Sequence, residues 1–229
     1  PAWRLHGFCA ALDDAAASAR LGVAQGGLDY YAAAVRECFE EAGLLFAQDA
    51  QHRLVDLSQL DAPQLAAMRA AAAAGTEALL SMCEARGWQL AMDRLAYFAH
   101  WLTPPGMPRR FDTRFFIAAL PPGQSVQVDR VEIAAHPWLR PQDPIGPARK
   151  LQLMHVQRRI LQQLAQFASV DECLAHARGL RRIVLNMPRL AGGPGGPRPI
   201  NIDEPAYAEV GFVDPEGLGH ARHTLEAGL

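Results

Sequence analysis

The chain has 229 residues, of which 50% are apolar and 20% charged, with a formal net charge of −2. That balance excludes intrinsic disorder, a collagen-like repeat and a disulfide scaffold for the whole chain, and it argues against a grip on nucleic acid by bulk charge. No uncharged apolar run reaches bilayer length, since the Ala-rich stretch 66–83 is interrupted by Arg69 and Glu77, so a soluble globular protein is expected, with no membrane partner.

The first residues, Pro1-Ala2-Trp3-Arg4-Leu5-His6, carry neither an initiator Met nor signal-peptide architecture, so a trimmed start is expected, and the scattered cysteines, read as reduced thiols, point to the cytoplasm. Residues 28–46 read as a helix, with Ala32, Ala33, Val35, Cys38, Phe39 and Ala42 as its small and apolar positions and Gly43 as its stop. Residues 62–86 read as one long Ala-rich helix or two, with Pro63 near the start and Gly87 past the end. From Trp88 to Trp101 the pattern is apolar and fits a strand turning into Thr103-Pro104-Pro105-Gly106. Arg114–Leu120 is the best strand candidate, and Val126–Ile133, which alternates with period two, is expected to pair with it in a hairpin. Helices are predicted over 151–167 and 170–178, the second capped by Ser169. A short strand is predicted at 183–185, a flexible Gly/Pro loop at 191–199 and a last strand at 207–213. The whole reads as mixed α/β or α+β and rich in helix.

Cys9, Cys38, Cys83 and Cys173 are scattered, with no C-x-x-C pair and no zinc spacing, which predicts reduced thiols. The informative segment is Arg36-Glu37-Cys38-Phe39-Glu40-Glu41-Ala42-Gly43-Leu44. On a helix, Glu37, Glu40 and Glu41 lie at i, i+3 and i+4 and share one face, where like charges repel. A divalent cation, Mg²⁺ or Mn²⁺, resolves that repulsion because it takes oxygen ligands and shares them with phosphates. Arg36 pairs with Glu40 at i+4. The plain alternative is a solvated helix face with one Arg–Glu pair.

These nine residues resemble the second half of the Nudix box, R-E-U-x-E-E-x-G-U, where U is apolar. Gly22 lies at the distance of the box's first glycine, while Leu28 stands where its first Glu would be. A closer likeness is to one branch, the peroxisomal-type acyl-coenzyme A diphosphatases and their bacterial relatives. Phe8-Cys9-Ala10-Ala11-Leu12-Asp13-Asp14 is similar to that branch's F-P-G-G-x-x-D start, with Cys9-Ala10-Ala11 in place of Pro-Gly-Gly. The likeness is strong again at His100-Trp101-Leu102-Thr103-Pro104 and at Arg109-Arg110-Phe111-Asp112-Thr113-Arg114-Phe115-Phe116, with echoes at Trp138, 167–170 and 205–207.

The resemblance implies one Nudix-like domain over 1–229. It would be an α/β/α sandwich with a mixed sheet, a large helical insertion at 50–100 and a C-terminal helical and loop extension from 150. It also implies a diphosphatase using Mg²⁺ or Mn²⁺, with Glu37, Glu40 and Glu41 as metal ligands and Arg36, Glu37 and Glu40 as the catalytic set. Glu37 is either a ligand or the base acting on water. Arg110 and Arg114 are expected to contact the substrate, with Arg109 beside them, although one of the three is also expected to pair with Asp112 and shape the turn. The implied substrate is a small-molecule nucleoside diphosphate, foremost coenzyme A or acyl-coenzyme A, cleaved to 3′,5′-ADP and (acyl-)phosphopantetheine. Another nucleoside diphosphate such as NADH or ADP-ribose is an alternative, as is a Nudix-like module that binds without hydrolysis. The helical insertion fits acyl-chain binding, homodimer formation or plain packing. His100 is expected to be structural, Trp101 and Phe115 core, Glu132 an outward strand residue or an extra carboxylate, His220 and His223 solvated, and the pairs Arg158-Arg159 and Arg181-Arg182 surface groups.

Overall fold

A computed structural model describes residues 7–9, 11–105, 107, 109–127, 138–146, 151–192 and 198–210. The chain divides into two units, Pro1–Ala96 with Phe116–Trp138, and Tyr97–Phe115 with Leu139–Leu229.

The first unit is built around one helix. Helix α1 (Asp14–Leu21) is held at its start by Asp13, whose carboxylate accepts the Ala16 amide at 2.7 Å, and it ends on Gly22 at φ +66°. Its sequence is so rich in Ala that apolar spacing does not announce it. Helix α2 (Gly27–Ala42) begins against α1. Gly26 N–H and Leu28 N–H donate to the Asp14 carboxylate (2.9 and 3.0 Å) and Gly27 N–H donates to Ser18 Oγ (2.9 Å), so α1 satisfies the amides that a helix start leaves open. Leu28, Tyr31, Val35 and Phe39 recur every three or four residues along α2 and are fully buried. Each such side chain contributes about 1.5–3 kcal/mol of transfer free energy. Glu37, Glu40 and Glu41 therefore fall on the opposite face.

The Ala-rich stretch forms two helices, α3 (Ala62–Ala73) and α4 (Thr76–Glu84), parted by Gly75 at φ +120°. Asp61 and Gln64 cap α3 reciprocally, with Pro63 in its first turn. Helices α1, α3 and α4 all pack on α2. Strands β1 (Ala47–Gln48) and β2 (Gln89–Leu90) pair antiparallel, and a 3₁₀ turn follows at Met92–Arg94. The segment 88–101 is thus a short strand, a turn and the start of a longer strand.

Ala11 sits at φ +61°, a conformation that favours glycine, at one of the positions where the family pattern has Gly. Ala11→Gly is therefore expected to stabilise the chain by about 0.5–1 kcal/mol, the relief of left-handed strain less the added freedom of the unfolded chain. A urea midpoint that stays put or falls would contradict this.

Strand β3 (Ala96–Leu102) is the central strand of the order β4-β3-β5, with β4 (Asp112–Ile117) on one side and β5 (Leu185–Asn186) parallel on the other. Trp101 is core, as expected. Phe115 is only half-buried, a correction to its reading as core; β4 is the outer strand of this sheet among the described residues. Helix α5 (His155–Leu164) is shorter than predicted, and α6 (Val170–Gly179) starts where Ser169 Oγ accepts the Glu172 amide at 3.1 Å.

Two further expectations are corrected. The predicted loop 191–199 is flanked by paired strands, β6 (Arg189–Ala191) and β7 (Arg198–Ile200), antiparallel with Arg189 opposite Ile200; residues 193–197 lie outside the described residues. The predicted strand at 207–213 begins instead as a 3₁₀ turn, Pro205–Ala208, because Pro205 fixes φ at its start and Tyr207 donates its hydroxyl to Met187 O at 2.9 Å; residues 211–213 lie outside the described residues. The hairpin partner 126–133 lies outside them from 128 onward. At its start, Gln127 N–H donates to Ala42 O (2.8 Å).

Candidate functional site

Glu37, Glu40 and Glu41, the carboxylates predicted as a site, all lie in the last two turns of α2. Arg36 Nη1 donates to Glu40 Oε2 at 2.6 Å, the i,i+4 pair that the spacing predicts, and Arg36 Nη2 pairs with Glu37 Oε1. Their side chains are part exposed, 19% for Arg36, 32% for Glu40 and 49% for Glu37, so each pair is worth at most about 1 kcal/mol to stability. The value of the arrangement is geometric. One guanidinium holds two carboxylates by one oxygen each and leaves the second oxygen of each outside the ion pair. Glu41 makes no ion pair among the described residues.

The turn that follows is fixed from three sides. Gly43 takes φ +70° and returns its N–H to Phe39 O (3.0 Å), which ends α2 at the predicted stop, so that 44–46, included in the predicted helix, lie beyond it. A Cβ at Gly43 would lie 3.2 Å from Gln127 Cβ, so glycine also admits the neighbouring chain. The buried Gln124 side chain accepts from Leu45 N–H (2.9 Å) and donates to Leu45 O (3.0 Å) and Val55 O (2.9 Å). From α3, Arg69 donates to Glu40 O (2.5 and 3.1 Å), Glu41 O (3.3 Å) and Gln127 O (2.8 Å). Neither Arg69 nor Gln124 is legible as a site residue, because both act on backbone carbonyls and amides. Arg69 does stand out as the one charge within α3. Cys38, between the carboxylates, has its thiol pushed up to about 11 by burial and secondarily by Glu41, so it stays protonated at neutral pH. All four cysteines are free, as expected.

The donor set fits a hard divalent cation. Glu37, Glu40 and Glu41 offer carboxylate oxygens on one solvent-reached face. Mg²⁺ needs only one or two protein carboxylates when waters and substrate phosphates complete its shell. Among the described residues no three His, Cys, Asp or Glu side chains are gathered into a ready-made cage, which that mode of binding does not require. Glu132, His220 and His223 lie outside the described residues.

Arg110 and Arg114 belong to the second unit. Arg110 is exposed, and its Nε donates to Thr103 O at 3.0 Å. Arg114, with 9% of its side chain exposed, lies 3.4 Å from Asp112 Oδ2 and is the arginine that shapes the turn. Arg109 is exposed. Of the basic pairs, Arg158, Arg181 and Arg182 are exposed, whereas Arg159 is half-buried and paired with Asp203, a correction to its reading as a surface group.

His100 Nε2 donates to Asp112 Oδ1 at 2.5 Å, a structural contact. Burial lowers its pKa below the ordinary 6.5 and outweighs the raising effect of Asp112, with Arg114 adding to the fall. The folded state thus binds a proton less readily than the unfolded chain, so stability is lost as pH falls through 6.5 toward the depressed value. An NMR titration of the His100 ring should show an inflection below 6.5; one above it would contradict the burial.

A family model described as the NUDT19 Nudix domain matches residues 14–153, which include all of α2. The acyl-coenzyme A diphosphatase NUDT19 of Xenopus laevis is 30% identical over 152 residues, 61% of this chain and 40% of that protein. The protein of the same name from Homo sapiens is 30% identical over 163 residues, 65% of this chain and 44% of that one. A putative nudix hydrolase 7 of Caenorhabditis elegans is 26% identical over 149 residues, 64% of this chain and 48% of that one. The matches thus span less than half the length of these relatives. Among solved structures, a NUDIX hydrolase from Alicyclobacillus acidocaldarius superposes with a TM-score of 0.55 at 22% identity, covering 76% of this chain and 75% of that one, a likeness of fold. Among the described residues no helix is long and apolar enough to cross a membrane.

Proposed function

The chain belongs to the NUDT19-type family of Nudix hydrolases, a family of diphosphatases, and on that premise we propose that it hydrolyses the diphosphate linkage of coenzyme A or acyl-coenzyme A with Mg²⁺ or Mn²⁺. The products would be 3′,5′-ADP and (acyl-)phosphopantetheine. The observation that carries the reading is the carboxylate face of α2, with Arg36 tying Glu37 and Glu40 together just before the Gly43 turn. The curated relatives from Xenopus laevis and Homo sapiens, named acyl-coenzyme A diphosphatases, support the choice of substrate.

In this reading Glu40 and Glu41 hold the cation, with Glu37 as a further ligand or as the base. The bound cation would neutralise phosphate charge and acidify a water. Arg36 orients Glu37 and Glu40, and the oxygen of Glu37 outside that ion pair is the atom offered to the water's proton. Positioning and electrostatics supply the rate, as in phosphoryl transfer generally. Arg110 is assigned to substrate recognition through its exposed guanidinium, whereas Arg114, expected to share that role, is taken up by Asp112. We read the fold as a single Nudix-like α/β/α sandwich over 1–229 with the helices of 50–100 inserted. The free thiols support a reducing compartment such as the cytoplasm.

The test is product identification after incubating the chain with coenzyme A, an acyl-coenzyme A, NADH and ADP-ribose, each with Mg²⁺, Mn²⁺ or EDTA. Metal-dependent release of 3′,5′-ADP is expected. Cleavage of NADH or ADP-ribose alone would move the substrate while keeping the chemistry. No turnover of any of them by folded protein would favour a binding module.

A further inference from the structure

We propose that Arg69 is a positioning residue that sets the last turn of α2, and through it the placement of the Glu40 and Glu41 carboxylates around the divalent cation. The inference rests on the metal-site reading above. The last carbonyls of a helix have no partner within it, and here those of Glu40 and Glu41 belong to the very residues assigned as ligands. The Arg69 guanidinium meets both, at 2.5 and 3.1 Å for Glu40 O and 3.3 Å for Glu41 O, and its other terminal nitrogen meets Gln127 O at 2.8 Å. Gln127 in turn donates its N–H to Ala42 O at 2.8 Å. One planar fork thus ties the end of α2, the body of α3 and the chain at 127 into one unit. A lysine, with a point charge and no fork, cannot meet all three carbonyls in the same geometry. Arg69 comes from the capped helix α3, so its anchor is itself fixed.

Two effects of Arg69 on a cation oppose each other. Its positive charge would repel a cation held by Glu40 and Glu41, whereas its hydrogen bonds to their backbone carbonyls hold the ligand-bearing turn in place. Charge alone predicts tighter binding when Arg69 is removed, and positioning predicts weaker binding.

The experiment titrates the chain with Mn²⁺ alone, following the electron paramagnetic resonance signal of free Mn²⁺, for wild type, Arg69→Ala, Arg69→Lys and, as reference, Glu40→Gln/Glu41→Gln. Turnover of a diphosphate substrate is measured alongside. Arg69→Ala should weaken Mn²⁺ binding about tenfold, the order expected for lost charge-assisted hydrogen bonds. Its kcat should fall while KM holds, and Arg69→Lys should recover part of both. Unchanged or tighter Mn²⁺ binding in Arg69→Ala, with wild-type binding abolished in the double Glu variant, would overturn the role of Arg69 and leave the metal site standing. Unchanged Mn²⁺ binding in the double Glu variant would overturn both. Should Arg69→Ala fail to fold, Arg69→Lys decides: affinity equal to wild type or above it overturns the proposal, and intermediate affinity supports it.

Discussion

Replacing Glu40 and Glu41 together by Gln is expected to leave the chain folded and its metal-dependent hydrolysis reduced by about 10³-fold, the order of several kcal/mol of transition-state stabilisation that a bound cation supplies. The Gln side chains keep the shape and one oxygen of each carboxylate and remove only the charge. The stability cost is small because the single ion pair lost, Arg36–Glu40, is part exposed and worth at most about 1 kcal/mol. The apolar stripe that anchors α2 lies on its other face, untouched. Turnover and thermal melting measured on the same preparation separate the two quantities. Activity retained within about tenfold of wild type would show that these carboxylates do not carry the chemistry.

Gly27→Ala should have the largest effect on stability, a loss of about 3 kcal/mol or more. A Cβ there would stand 2.2 Å from Ser18 N, 2.4 Å from Ala17 C and 2.6 Å from Ser18 Cα. All three are backbone atoms of α1, so no rotamer change relieves the clash. The helix must lift away, and the Ser18 and Asp14 hydrogen bonds that hold the start of α2 go with it. Chemical denaturation measures this directly. A loss below about 1 kcal/mol would mean that α1 is not seated on Gly27 in solution.

What was legible in the sequence follows from how local each signal is. The stop of α2 at Gly43, the Arg36–Glu40 pair and the Ser169 cap all rest on residues within a few positions of one another, and each stands where the spacing puts it. The Ala-rich stretch, by contrast, reads equally as one helix or two, and its break at Gly75 is not placed by the spacing. The spacing puts the start of α2 within one residue of Gly27, yet its capping groups, Asp14 and Ser18, come from a helix whose run of Ala hides its buried face. The supports of the site, Arg69 and Gln124, grip main-chain atoms 28–79 positions away, and no side-chain pattern records such contacts. Short strands were the weakest readings. β6 and β7 are paired across a Gly/Pro stretch that reads locally as loop, and the Tyr207 segment obeys Pro205 and a hydroxyl contact with Met187 rather than its own apolar character.

The measurement that bears most directly on the central claim is chromatographic and mass identification of what the chain releases from coenzyme A, with Mg²⁺ and with EDTA. Release of 3′,5′-ADP together with phosphopantetheine, dependent on the metal, is the predicted result. Intact coenzyme A after incubation with folded, metal-supplied protein would contradict it.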